Sequence, residues 1–103
     1  MQLKLDPEQF EKYQEIFIKE ITQTIMVKLV EAGLEGQQLE DATAGVAFSV
    51  ASIIDDMSGI EFNGLEVNPY LTFRAKENEI VHCGENAYTY EFVMPVMKKL
   101  FNR

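Results

Sequence analysis

No charged residue lies between Asp41 and Asp55, and this run constrains the fold more than any other. With its flanks, its large apolar residues fall at Leu39, Ala42, Val46, Val50, Ile53 and Met57, spaced by three and four. At about 100° per residue, these six trace a narrow stripe along one side of a helix. The other side is not polar either, since it carries Ala44, Gly45, Phe48, Ala51 and Ser52. A helix apolar on both sides needs neighbours on both sides, so it is predicted as the central layer of a small domain. The run is too short to cross a bilayer, which takes about 20 apolar residues.

Upstream, a long helix is specified at both ends. Asp6 is an N-cap, Pro7 suits the first helical position, and Gln9 completes a capping-box pattern. Leu5 and Phe10 are placed for a hydrophobic staple across that cap. Phe10, Tyr13, Phe17, Ile21, Ile25 and Leu29 mark the expected buried face. Gly33 suits the left-handed position that closes a helix, with Leu34 folding back on Leu29. The short link at Glu35 and Gly36 predicts that the second helix returns antiparallel to the first.

The following segment reads as strand. Asn63-Gly64 is a two-residue hairpin turn that sets Phe62 opposite Leu65, Ile60 opposite Val67 and Glu61 opposite Glu66. The last pairing juxtaposes like charges, which costs stability unless a cation sits there. A second hairpin is expected from residues 70–75 and 79–83, with Leu71, Phe73, Val81 and Cys83 on its core face. Residues 88–93 have strand propensity, and Pro95 is poor in a helix interior. A strand there would pair Glu79 with Glu91. A helix capped by Asn86 instead gathers Tyr90, Val93, Met94, Met97, Leu100 and Phe101, with Lys98, Lys99 and Arg103 at its cation-favouring end. The helix is the reading adopted.

The expected fold is therefore a single α+β domain over residues 1–103. It comprises a long antiparallel helical hairpin, a small antiparallel β-sheet (a meander) and a C-terminal helix, in the order α-α-β-β-β-α. A hydrophobic content of 47% with 25% charged residues fits a globular chain. The start lacks the apolar stretch of a signal peptide, and one cysteine forms no internal disulfide. A complete cytoplasmic protein is expected.

Charge narrows the function. All of the net −8 arises between Lys28 and Arg74, where Glu31, Glu35, Glu40, Asp41, Asp55, Asp56, Glu61 and Glu66 face no lysine or arginine. This argues against nucleic-acid binding and for a basic protein partner. His82 and Cys83 are the residue types of thiolate catalysis, but neighbours on a strand point to opposite faces. One His and one Cys do not make a zinc site, and no phosphate-binding glycine pattern is present. The best candidate site is the set Asp55, Asp56, Glu61 and Glu66. Asp55 and Asp56 stand at the end of the second helix, where the dipole opposes them. Oxygen-rich clusters suit Mg²⁺, Mn²⁺ or Ca²⁺, yet the spacing fits no calcium loop, and no metal or cofactor is assigned. The expectation is a non-catalytic interaction protein of immunity, inhibitor or adaptor type, its acidic surface binding a basic partner. Two alternatives are a carboxylate-metal enzyme or sensor, and a homodimer seamed on the second helix at Ala44, Phe48 and Ala51.

Overall fold

The computed structural model describes residues 1–102. Its elements are β1 (Gln2–Leu5), α1 (Pro7–Glu31), α2 (Gly36–Ile54), β2 (Ile60–Phe62), β3 (Leu65–Val67), β4 (Phe73–Arg74), β5 (Glu79–His82) and α3 (Tyr90–Leu100). This is an α+β fold with a helical hairpin and a C-terminal helix. Each helix packs on the other two, and the sheet of β5 lies against α1.

Helix α1 begins as its sequence dictates, with the Asp6 carboxylate accepting from the Gln9 N–H at 3.1 Å. The reciprocal half of the capping box is not made. The Asp6 N–H donates to the His82 carbonyl, and the Gln9 amide turns to Tyr13. The reason is an element absent from the sequence reading: β1 pairs in parallel with β5, Leu3 beside Ile80 and Leu5 beside His82. Leu5, expected as a staple, is exposed in that strand. At the far end Gly33 takes φ +98°, and Leu34 N–H donates to the Leu29 carbonyl, so the predicted left-handed closure forms.

The strands form two sheets rather than one meander. The larger has the order β1-β5-β4, and β2-β3 stands apart as a two-stranded hairpin. Both predicted registers are present: Phe73 opposite Val81 in one, and Ile60–Val67, Glu61–Glu66 and Phe62–Leu65 in the other. Asn63 and Gly64 turn the second with φ of +52° and +79°, the left-handed pair that a tight hairpin requires.

The core has two lobes. One joins the helices through Ile18, Ala47, Ala51, Val93, Val96 and Met97. The other sits under the larger sheet, around Phe10, Val81 and Ala87. The buried line of α1 is Phe10, Gln14, Ile18 and Thr22, and that of α2 is Thr43, Ala47 and Ala51. Apart from Phe10 and Ile18, these buried positions are small or polar. The large-residue stripe of α2 lies roughly a third of a turn away, leaving Val46, Ile53 and Met57 exposed.

Helix α3 starts at Tyr90, later than a cap at Asn86 implies, and Pro95 lies inside it. Its buried face is Val93, Val96 and Met97, while Tyr90 and Met94 are exposed. Lys98 and Lys99 occupy its last turn, and Arg103 lies outside the described residues.

Candidate interaction surface

Asp55 is not a surface ligand. It is 3% exposed, and its carboxylate accepts from Thr89 N–H at 2.9 Å, Thr89 Oγ1 at 2.7 Å and Tyr90 N–H at 2.9 Å. A residue at the unfavourable end of α2 is therefore the cap of α3. The electropositive N-terminus of α3 supplies the compensation that the sequence left open.

Asp56 follows with φ +61°, and Met57 N–H closes back on the Ser52 carbonyl, so α2 ends through a left-handed aspartate. Both Asp56 oxygens accept from the Asn68 amide, at 3.1 and 3.3 Å. This bond ties the two feet of the β2-β3 hairpin together. Of the four acids expected as a site, Asp55 and Asp56 are thus structural, and Glu61 and Glu66 stand opposite each other on the hairpin. Among the described residues no three His, Cys, Asp or Glu side chains come together in a group that could hold a metal ion.

The hairpin's other face is apolar. Phe62 is 78% exposed and Leu65 70%, with Val67 also open to solvent. Neither strand packs extensively on any other element. A two-stranded hairpin is only marginally stable alone, and its large apolar side chains gain nothing from exposure.

The expected seam on α2 is occupied from within. Ala51 is fully buried, Ala44 and Phe48 pack against the helical core, and the Phe48 ring lies 4.6 Å from that of Tyr90. Helix α3 covers the surface on which a second copy was expected.

His82 and Cys83 diverge as strand geometry demands. His82 Nδ1 is 2.7 Å from the Tyr70 hydroxyl, whereas Cys83 Sγ donates to the Glu85 carbonyl at 3.1 Å. Burial raises the Tyr88 hydroxyl above its usual range, and the nearby Glu11 charge and Cys83 act in the same direction. Its backbone N–H donates to buried Gln14 at 2.6 Å. These groups fix the loop that leads into α3.

A second surface was not read from the sequence. Tyr13, Ile16 and Phe17 of α1 and Phe73 of β4 line a shallow cleft of about 340 Å³, with Glu20 and Arg74 at its rim. Phe73 packs edge-on against Tyr13 and Phe17 at 5.8 and 5.6 Å between centroids. Ile16 is 65% exposed. Rings from two distant segments build this wall, so no local pattern announces it.

Compared with protein families, curated proteins and solved structures, the chain matches none of them. No helix among the described residues is long and apolar enough to cross a membrane.

Proposed function

We propose that this protein is a non-catalytic interaction module that docks a partner protein through the β2-β3 hairpin. The surface it fits combines an apolar cleft with positive charge, and a basic protein is the simplest source of one. One observation carries the reading: the hairpin projects Phe62 and Leu65 into solvent on one face and opposes Glu61 to Glu66 on the other. The apolar face supplies an anchor, and aromatic anchors dominate many interfaces. The paired glutamates are mutually repulsive in the free protein and gain from any cation the partner brings, so charge selects the partner and speeds encounter. The Asp56–Asn68 bond holds the hairpin's base, and Asp55 is spent on the start of α3.

The test places a photo-crosslinking side chain at Leu65 in the full chain, inside cells and in lysate. The expected result is a discrete crosslinked protein, reduced at high salt and lost when Glu61→Lys and Glu66→Lys are combined. If no protein crosslinks at either salt concentration, the module has no such partner and the reading is wrong.

A further inference from the structure

Strand β1 borders the larger sheet, and among the described residues it pairs only with β5. We infer that a second copy lays its own β1 antiparallel against this open edge, about a two-fold axis through Leu3, so that the two three-stranded sheets become one. The surface is separate from the hairpin and does not depend on the docking role proposed for it.

The direction of the main-chain groups comes first. Gln2 N–H donates to the Asn78 carbonyl at 2.6 Å, and Asp6 N–H donates to the His82 carbonyl at 3.0 Å. The even-numbered residues of β1 thus turn their backbone toward β5, and alternation turns the N–H and C=O of Leu3 and Leu5 outward. In an antiparallel ladder such residues exchange both hydrogen bonds with the residue opposite. An axis through Leu3 sets Leu3 against its own counterpart and Leu5 against the second copy's Met1. Left open, an edge of this kind is a template for another strand, and β1 carries no proline to blunt it.

The side chains name the occupant. Leu3 and Leu5 lie beside Ile80 and His82, on the sheet face away from buried Val81 and the core beneath it. Met1, Leu3 and Leu5 are 67%, 62% and 61% exposed. The two-fold register lays these three against the same three, apolar on apolar. On the other face Gln2 meets Lys4, and no charge stands opposite its like. An axis through Lys4 would instead oppose two lysines. The edge is therefore complementary to itself, and the two-fold makes every pair twice and closes. Charge agrees with this. The net −8 arises between Lys28 and Arg74, whereas residues 1–5 hold one lysine and no acid. At this edge two acidic chains meet without opposing carboxylates.

Sedimentation velocity of the full chain, from low to high micromolar concentration, tests the inference. The wild type should form a dimer. Leu3→Pro removes an N–H that faces away from β5, a position where an edge strand accepts proline. It should be monomeric while circular dichroism stays that of the wild type. Leu3→Glu and Leu3→Lys should each be monomeric as well, since the axis sets each new charge against its own copy. Mixing these two variants should restore the dimer, because position 3 then faces the opposite charge. Phe62→Ser should leave the wild-type dimer intact. A wild type that stays monomeric throughout this range overturns the inference, as does a dimer that survives Leu3→Pro and Leu3→Glu. A mixture of Leu3→Glu and Leu3→Lys that remains monomeric overturns it too. A dimer lost with Phe62→Ser places the contact on the hairpin and has the same consequence.

Discussion

A carboxylate near a helix C-terminus normally faces the negative end of the dipole, and two in succession should shorten the helix. Asp55 escapes this because both of its oxygens are spent on the first turn of another helix, across 34 residues of sequence. The bonded N–H groups of Thr89 and Tyr90 would otherwise be orphans at the start of α3. Burial raises the stakes, since an acceptor lost from a site shielded from bulk solvent leaves its donors unpaired. Asp55→Ala is therefore expected to destabilise the fold by about 2–3 kcal/mol, from loss of a cap and of charged hydrogen bonds. Asp55→Asn should lie between the two, because one amide oxygen still accepts while its NH₂ opposes a backbone N–H. Urea unfolding followed by circular dichroism gives both values, and a change below 0.5 kcal/mol, the scale of an ordinary surface substitution, would show that α3 does not depend on this cap. The sequence signalled Asp55 as anomalous but not where it was used, because its partners are backbone groups of a helix that forms elsewhere.

At the scale of elements, what was legible is what short-range chemistry determines. Asp6 with Pro7 and Gly33 with Leu34 bound α1, and Asn63-Gly64 set the hairpin register to the residue. What was not legible depends on which neighbour arrives. Strand β1 exists because β5 offers it an edge, a parallel pairing across most of the chain. The faces of α2 were ranked by residue size, yet its buried line runs through Thr43, Ala47 and Ala51 because close helix approach selects small side chains. With three helices sharing one core, no layer remains to cover Val46, Ile53 and Met57. The hairpin shows the same limit in reverse: its register was evident, but not that its apolar face meets no core. Its like-charge pair gives a local prediction. Glu66→Lys makes a favourable cross-strand pair with Glu61, and such pairs contribute about 0.2–1 kcal/mol. Amide exchange within residues 60–67 should slow by about twofold, as local opening becomes harder. Faster exchange would mean that Glu66 already has a stabilising partner within the chain.

For the whole molecule, the question is whether the hairpin belongs to the folding unit or is carried by it. The radius of gyration is 15.4 Å, with extents of 45 × 36 × 20 Å, against about 13 Å for a compact domain of 100 residues. Helix α1 alone accounts for about 37 Å of length at 1.5 Å per residue, and the hairpin adds width without adding to either core lobe. The body retains Asp55, the cap of α3 and both lobes when the hairpin is removed. Replacing residues 60–67 with a Gly/Ser linker, while keeping Asp56 and Asn68, is therefore expected to leave the unfolding free energy within about 0.5 kcal/mol of the wild type. Small-angle scattering of the same variant should show a smaller monomer than the 15.4 Å radius of gyration of the whole chain implies. A loss above about 2 kcal/mol, the scale of an emptied core position, would show the hairpin to be part of the folded body. The outcome expected instead separates the molecule into a self-sufficient three-helix and sheet body and an arm whose apolar face packs in neither core lobe.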